Sequence, residues 1–311
     1  MGSENFAMPE RGSSSFGRRA FAAGVVGAVA AAVLPGAPAY AHDDPRPHSR
    51  LIPLTGAVNT RDLGGYRTWH GRTVRWGRVF RGDALGKLTA EDVARLGRLG
   101  LHTVVDFRGP KEIAKDGVDR LPPRTLLVNN PVLDAAGDAM TDAITRALAT
   151  GDPAVLDELL GDGRGAALMT EGHRSSVTSP AARAGFGDTL RRIAEHGTPL
   201  LYHCTAGKDR TGWMSALLLT ALEVPDRTIV EDYMLSNENR RASNESTYAF
   251  LRSRGIDVEL VRPLMEQRPA YIEAALATMR AEYGSVDRYV RRGLGLSAGT
   301  IPRLRARLLT R

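Results

Sequence analysis

The sequence predicts an α/β domain in which a central twisted sheet is flanked by helices. Three observations support this prediction. Along residues 51–311, short apolar runs typical of buried strands alternate with longer stretches of helical periodicity. Hydrophobic residues make up 42% of the 311-residue chain, which is enough to build a buried core. Residues 51–311 contain no Pro/Ser-rich linker and no internal repeat, so one domain is the simplest count.

The N-terminus has the pattern of a targeting segment. The pair Arg18-Arg19 precedes an apolar run from Ala20 to Leu34, and Ala39-Tyr40-Ala41 offers a small-residue cleavage site. The run is shorter than the roughly 20 residues that a transmembrane helix needs. We therefore predict a twin-arginine signal peptide over residues 1–41, no stable membrane span, and a secreted or extracytoplasmic protein. Residues 42–50 are polar and Pro-rich, which predicts a flexible lead-in.

Four runs of β-branched and other apolar residues predict strands of the sheet. They are Arg78–Arg81, Thr103–Phe107, Leu126–Asn129 and Pro199–Tyr202. Helical periodicity predicts the helices Thr89–Leu99 (capped by Thr89), Ala182–Ala194, Gly212–Leu222, Asp226–Met234, Ala270–Tyr283 and a last helix from Ser297. The helix after Gly212 is apolar all round, so we expect it to cross the core.

An insertion of about residues 133–179 lies between the predicted strand Leu126–Asn129 and the predicted helix Ala182–Ala194. It is rich in Ala, Gly and Asp, with helical pieces near Ala143–Leu148 and Ala154–Leu160 and a Gly-rich stretch over Gly161–Gly165. Its length and its position before the strand Pro199–Tyr202 predict a mobile helical lid over a pocket. An ordinary surface excursion remains the alternative.

The charge balance favours an anionic partner without identifying it. The chain has 42 Lys and Arg against 35 Asp and Glu, a formal charge of +7. No aromatic-interleaved basic stretch supports nucleic-acid binding. A single cysteine and seven scattered histidines predict no metal site and no disulfide, and the chemistry below needs no cofactor. The oligomeric state is left open.

The most informative segment runs from His203 to Gly212, between a predicted strand and a predicted helix. Its sequence is His-Cys-Thr-Ala-Gly-Lys-Asp-Arg-Thr-Gly. Backbone N–H groups from Thr205 to Arg210 can converge on a phosphate at the helix N-terminus, and Gly207 permits the tight turn. Cys204 lies where this positive field is strongest, so we expect a thiolate nucleophile. The planar guanidinium of Arg210 can clamp two phosphoryl oxygens.

Other interpretations of this loop are weaker. A Walker nucleotide site would need glycine and Ser or Thr where Tyr202 and Asp209 stand. A buried structural thiol would not require this order of strand, Cys, Gly, Arg and helix. A rhodanese-like sulfur transferase and a silent phosphate-binding module also remain as alternatives from other classes.

The loop matches the His-Cys-x5-Arg-Thr signature of the protein tyrosine phosphatase superfamily, and the longer string resembles the bacterial atypical tyrosine/lipid phosphatase family. Segments in the same order extend the resemblance over nearly all residues from 51 onward: Asn59–Gly65, Phe80–Leu85, Val105–Arg108 and Gly284–Val286. The resemblance implies a protein tyrosine phosphatase-like fold. It also implies phosphotyrosine hydrolysis through a cysteinyl-phosphate, with phosphoinositides or phosphoserine/threonine as alternative substrates.

Other residues in and next to the loop are also expected to bind substrate or to support Cys204. Thr205, Ala206, Gly207 and Gly212 would bind substrate through the loop backbone, and His203 either orients the loop or is simply packed. Thr211 either donates its hydroxyl to the Cys204 sulfur or bonds only backbone.

Lys208 either adds charge beside the phosphate, which the resemblance links to phosphoinositide activity, or is a solvated lysine. The general acid is either Asp209, which the resemblance favours, or Asp106, whose alternative role is to pair with Arg108 or another basic residue and brace the loop. Arg61 and Asp62 either line the site or belong to a turn at Gly64-Gly65.

Overall fold

The computed structural model describes residues 49–133, 135–197 and 199–311. The predicted signal peptide and all but the last two residues of the predicted lead-in lie outside the described residues. Among the helices that are described, none has the length and apolar character that a membrane span requires.

In the described part of the chain, five short strands form one mixed sheet. They are β1 (Arg61–Asp62), β2 (Val79–Gly82), β3 (Thr103–Asp106), β4 (Leu126–Asn129) and β5 (Leu200–His203). The order is β1-β2-β5-β3-β4; β1 runs antiparallel to β2, and the other neighbours are parallel. The register places Gly82 and Asp106 beside His203, so the carboxyl ends of the three inner strands meet at one edge. We call this the catalytic end of the sheet.

The helices of the described ranges surround this sheet. They are α1 (Ala90–Arg98), α2 (Pro110–Asp116), α3 (Ala135–Thr150), α4 (Pro153–Leu160), α5 (Arg164–Thr178), α6 (Pro180–His196), α7 (Arg210–Ala221), α8 (Asp226–Asn239), α9 (Arg241–Ser253), α10 (Val258–Met265), α11 (Pro269–Tyr283), α12 (Val286–Arg288) and α13 (Thr300–Leu308). A π-helical segment, Tyr289–Gly293, follows α12 directly.

Alternating side chains divide the core into two layers, because successive residues of a strand face opposite sides of the sheet. Phe80, Val104 and Leu201 join a smaller cluster with Leu96 of α1. Their strand neighbours face the larger cluster, in which the buried helix α7 crosses the middle of the domain. The predicted α/β class, a central sheet flanked by helices, is confirmed.

Most element boundaries differ from the predicted ones by one to a few residues, and five of the described helices were not predicted. Thr89 caps α1 as expected: its hydroxyl accepts the Asp92 N–H, and the Asp92 carboxylate accepts the Thr89 N–H. The missed helices are α2, α5, α9, α10 and the three-residue α12. The first is only 7 residues long and α10 contains Pro263, so their periodicity is weak in the sequence.

The insertion forms α3, α4 and α5, and these differ in burial. In α5, Met169, His173 and Val177 are buried, and the helix packs against α10 and α11. The stretch predicted as Gly-rich and mobile thus leads into a core helix. A lid can comprise only α3 and α4, and the lid role itself stays a prediction.

Candidate active site

The loop between β5 and α7 is a tight turn at the catalytic end of the sheet. Cys204 follows β5 and its side chain is fully buried, and α7 begins at Arg210. Gly207 has a φ of +66°, and a Cβ there would lie 2.5 Å from the carbonyl of Gly82. Only glycine therefore fits this point of the loop, since another side chain would meet both backbone strain and a clash.

Three side chains hold the outer side of the loop. The Asn59 amide donates to the carbonyls of Ala206 (3.1 Å) and Gly207 (2.9 Å). Arg81 donates to the Gly207 carbonyl at 2.9 Å, and Arg240 to the Ala206 carbonyl at 3.3 Å. A trans peptide places its N–H opposite its C=O. Holding these carbonyls outward therefore turns the N–H groups that follow them towards the inside of the loop.

A buried ion cluster fixes Arg81 in turn. The Asp232 carboxylate accepts from Arg81 (2.6 Å), from Arg61 (3.1 Å) and from the Tyr66 hydroxyl (2.8 Å). Burial alone would raise the pKa of Asp232, but the charges of Arg61 and Arg81 outweigh it and hold the pKa well below its usual range. Arg61 thus supports the loop from behind and does not line the site.

Arg210 is held by a glutamate that the sequence did not single out. Both Glu112 oxygens accept from the Arg210 guanidinium, at 2.8 and 2.6 Å, and the Thr205 hydroxyl donates to Glu112 at 2.5 Å. Burial would raise the pKa of Glu112, but Arg210 outweighs it and lowers the pKa to about 2. The carboxylate therefore stays ionised and fixes both the clamp and the start of the loop.

His203 braces the other side of Cys204. Its Nε2 lies 2.9 Å from the Asp119 carboxylate and its Nδ1 lies 3.1 Å from the carbonyl of Cys204. Burial opposes the imidazolium, but Asp119 and Asp106 outweigh it and raise the pKa of His203 to about 9. Below that pH both ring nitrogens donate, so His203 orients the loop and adds positive charge next to the thiol.

Asp106 is engaged by Arg108, as in the bracing alternative. The Arg108 Nε and Nη2 lie 3.0 Å from the two oxygens of Asp106, and Nη2 donates to Asp119 at 2.8 Å. Ligand atoms of Asp106, Asp119 and His203 lie within 4.8 Å of one another, a spacing that could hold a metal ion. Arg108 and the imidazolium already supply positive charge there, which favours an ion-pair cluster.

Asp209 is buried at the start of α7. One carboxylate oxygen accepts from the Gln267 amide at 2.8 Å, and the other lies 3.4 Å from the Lys208 ammonium. His173 Nε2 lies 3.9 Å away and accepts from Tyr233, while its Nδ1 lies 2.8 Å from the Met169 carbonyl. Asp209 thus lies within the loop, whereas Asp106 lies beside the loop and is bound by Arg108.

Lys208 and Thr211 are both buried in the loop. The Lys208 ammonium donates to the Leu264 carbonyl at 2.5 Å, and burial lowers the pKa of the lysine. It is turned towards α10 and not displayed at the mouth of the site. The Thr211 hydroxyl is buried and, among the described residues, has no hydrogen-bond partner. That observation leaves both interpretations of Thr211 open.

Comparison with known proteins assigns the chain to a family. Residues 52–310 match the description "Tyrosine phosphatase family". This chain belongs to the tyrosine phosphatase family.

Two relatives cover most of the chain. A protein of Cupriavidus necator named as a candidate tyrosine-protein phosphatase is 36% identical over 85% of this chain and 90% of its own length. The triple specificity protein phosphatase PtpB of Mycobacterium tuberculosis is 30% identical over 82% of this chain and 98% of its own length. Among solved structures, Pseudomonas aeruginosa TpbA aligns with 67% of this chain and 89% of its own, at 18% identity and a TM-score of 0.31. The predicted enzyme class, a protein-tyrosine phosphatase, is confirmed by the family and the two relatives.

In this tyrosine phosphatase, α3 lies against the rim of the site. Lys111 of α2 pairs with Asp142 of α3 at 2.5 Å. A Cβ on Gly109 would lie 3.8 Å from the Asp138 carboxylate, which therefore sits next to the turn that leads to Glu112. Burial, and then the negative charge of Glu112, raise the pKa of Asp138. Asp138 is thus a third acid near the phosphoryl clamp.

Most of the residues that support the loop were not identified from the sequence as site residues. They are Asn59, Arg81, Glu112, Asp119, Asp138, Asp232 and Arg240. Asn59 and Arg81 stand in segments that carried the family resemblance, so that signal was available. Asp62 accepts the N–H groups of Gly64 and Gly77, both at 2.7 Å, and belongs to the turn.

Proposed function

We propose that this protein-tyrosine phosphatase works through a covalent phosphocysteine on Cys204. The thiolate attacks the phosphorus of a phosphotyrosine, an S–P bond forms, and the P–O bond to the phenol breaks. Loop N–H groups and Arg210 bind the three phosphoryl oxygens as charge spreads over them. Support comes mainly from one arrangement: a buried cysteine at the base of a loop whose carbonyls are held outward, with its arginine fixed by Glu112.

We assign the proton transfers to Asp209. Its carboxyl group gives a proton to the leaving phenolate, and the resulting carboxylate takes a proton from the water that attacks the phosphocysteine. The products are inorganic phosphate and the regenerated thiolate. The position of Asp209 within the loop supports this role, and the two oxygens of Asp106 are already bonded to Arg108. Asp138 at the rim is the next candidate.

Phosphorylated tyrosine in a protein is the substrate that the site supports best. The word "triple" in the name of the mycobacterial relative favours a second candidate, with phosphoserine/threonine or phosphoinositide turnover beside phosphotyrosine. The orientation of Lys208 argues against the lipid, because its ammonium points to the Leu264 carbonyl. Turnover of a phosphotyrosine peptide, a phosphoserine peptide and phosphatidylinositol phosphates, measured side by side, separates these candidates.

Cys204→Ser tests the mechanism directly. A serine hydroxyl is not ionised at neutral pH, so turnover should be lost while phosphate still binds through the loop N–H groups and Arg210. Binding of inorganic phosphate, measured by calorimetry, checks that the variant is folded. Turnover near that of the wild type, in protein of verified purity, would refute the phosphocysteine.

We also propose export by the twin-arginine pathway, with cleavage after Ala41. The paired arginines, the apolar run and the small-residue site support this proposal. Changing Arg18 and Arg19 together to lysine should keep the protein in the cytoplasmic fraction at its uncleaved mass. Unchanged export of that variant, measured by fractionation and mass spectrometry, would contradict the route.

A further inference from the structure

The end of the sheet opposite the catalytic loop forms a distinct surface, which we call the basic face. It contains the hairpin 66–76, the last turns of α6 and α7, and the chain from α13 to Arg311. Val74 pairs with Leu309, the Trp69 N–H donates to the Glu223 carbonyl at 2.9 Å, and the Leu200 N–H donates to the Arg78 carbonyl at 3.1 Å. These contacts bring the segments together at the amino ends of β2 and β5.

Arginines dominate the basic face. Eight of them are exposed or partly exposed there: Arg67, Arg72, Arg75, Arg78, Arg303, Arg305, Arg307 and Arg311. Several are held by backbone carbonyls and not by carboxylates. Arg72 donates to the Thr310 carbonyl at 2.8 Å, and Arg75 to the Leu309 carbonyl at 2.9 Å. Such bonds fix the side chains while leaving their charge uncompensated.

The carboxylates of this face neutralise little of that charge. Glu223 pairs with Arg305 at 3.2 Å and lies 3.7 Å from His70. The Glu195 carboxylate turns to Arg191 at 2.8 Å, and only its backbone carbonyl accepts from Arg307. Within the described residues, the other arginines of the face have no carboxylate partner. The basic face is therefore a concentrated positive field.

Two tryptophans lie among these arginines. Trp69, at the tip of the hairpin, is 73% exposed, and Trp76 is 38% exposed. The Arg50 guanidinium stacks over Tyr66 at 3.7 Å and over Trp76 at 4.9 Å. Arg50, near the start of the described residues, therefore packs against the two ends of the hairpin 66–76.

We propose that the basic face docks on an anionic lipid surface. Arginines attract acidic headgroups, and an exposed tryptophan on an exposed turn is suited to the boundary between headgroups and acyl chains. A nucleic acid would also attract the charge, but the exposed rings sit on one hairpin and do not form a row on which successive bases could stack. The lipid surface is therefore the partner that fits both features.

Docking in this way orients the catalytic loop away from the bilayer. Helix α7 begins at the loop and ends next to Glu223, and its 12 residues span roughly 18 Å. The mouth of the site would then face soluble phosphoproteins and not the headgroups beneath the domain. The surface thus concentrates the enzyme at a membrane without making the membrane its substrate.

Co-sedimentation of the full chain with vesicles tests the proposal. Vesicles of phosphatidylcholine with about 30% phosphatidylglycerol should bind it, and pure phosphatidylcholine should bind it at least tenfold less. Each arginine near such a surface contributes about fivefold in partition. Arg67→Glu combined with Arg78→Glu should therefore lower partition into the anionic vesicles more than tenfold, as should about 0.5 M salt.

A matched control reverses two exposed arginines elsewhere, Arg146 on α3 and Arg241 on α9. The variant Arg146→Glu/Arg241→Glu has the same net charge and the same N-terminal segment as the variant Arg67→Glu/Arg78→Glu. Its partition into anionic vesicles should nevertheless stay within about twofold of that of the wild type. Trp69→Ala should lower partition several-fold and remove most of the blue shift of tryptophan emission on anionic vesicles. Circular dichroism verifies that each variant is folded.

Equal loss of vesicle binding in both arginine pairs would overturn the proposal, since net charge alone would then explain it. So would tight binding to a DNA duplex with no binding to the anionic vesicles. Orientation has its own readout. In the presence of saturating anionic vesicles, turnover of a soluble phosphotyrosine peptide should stay within about twofold of turnover without vesicles. A loss of turnover in proportion to the fraction of enzyme bound would show that the mouth of the site faces the bilayer, contrary to the proposed orientation.

Discussion

Arginine has opposite roles at the two ends of the sheet. At the catalytic end, Arg81 and Arg210 are buried, and each is paired with a carboxylate and bonded to a loop carbonyl or hydroxyl. At the basic face, Arg67 and Arg78 are exposed and have no carboxylate partner among the described residues. A buried arginine that is paired with a carboxylate holds the groups around it in place. An exposed arginine without a carboxylate partner instead contributes a positive electrostatic field at long range.

The largest effect is expected from removing the negative charge of the carboxylate that pairs with two buried arginines. Asp232→Asn leaves Arg61 and Arg81 without their common carboxylate, at a site where the aspartate is 2% exposed. We expect the free energy of unfolding to fall by about 3–5 kcal/mol. Urea unfolding measures this loss of free energy. The exposed pair Arg227 and Glu231 is the control, and Glu231→Gln should lower the free energy of unfolding by less than about 1 kcal/mol. Similar losses in both variants would contradict the contrast.

A pH test addresses the imidazolium at the catalytic end. Because the pKa of His203 rises from 6.5 to about 9 on folding, its contribution to stability is fully present below pH 6.5. It is lost as the pH rises through about 9, and amounts to on the order of 3 kcal/mol. His203→Gln should therefore flatten the fall in stability between pH 6.5 and 9.5. An unchanged slope in the variant would mean that the histidine is neutral in the folded protein.

Asp209→Asn separates the acids of the catalytic end. If Asp209 protonates the phenolate, turnover of phosphotyrosine should fall about 100-fold, while an activated aryl phosphate with a good leaving group should be far less affected. Asp106→Asn and Asp138→Asn serve as matched changes of the neighbouring carboxylates. If only one of these shows the leaving-group dependence, the acid must be reassigned to that residue.

If α3 acts as a lid, as predicted, it should protect the single thiol from oxidation. With no second cysteine to trap a sulfenic acid, peroxide drives Cys204 to irreversible oxidation states. Ile144→Ser removes a buried contact of α3 and should speed peroxide inactivation several-fold, with turnover of a small aryl phosphate equal or higher. Ile301→Ser loosens α13 instead and should not change the rate. Equal rates for the two variants would show that α3 does not shield the cysteine.

The smallest expected effect belongs to the basic face. Arg78→Ala should change the free energy of unfolding by no more than about 0.5 kcal/mol, because its guanidinium is exposed and, among the described residues, makes one long bond, 3.4 Å, to the Gly197 carbonyl. Thermal unfolding measures the change. A loss above about 2 kcal/mol would place Arg78 among the structural arginines and weaken the distinction between the two ends.

The sequence by itself determined the α/β class, four of the five described strands, the tight loop and the position of Cys204 and Arg210. These are local features. Alternating apolar runs, a capping threonine and the order of strand, Cys, Gly, Arg and helix each depend on residues that are close in the chain. It also identified the family, because the same short segments recur in the same order.

Only the tertiary structure decided how the loop is held. Asn59, Glu112 and Asp232 reach it from segments that are distant in the chain, and their local sequence does not show which residues of the loop or its supports they contact. The structure likewise divided the insertion, since the packing of α5 against α10 and α11 is a long-range contact. The basic face has the same origin, because the arginines of the hairpin and those of the C-terminal segment are far apart in the chain and only folding places them on one surface.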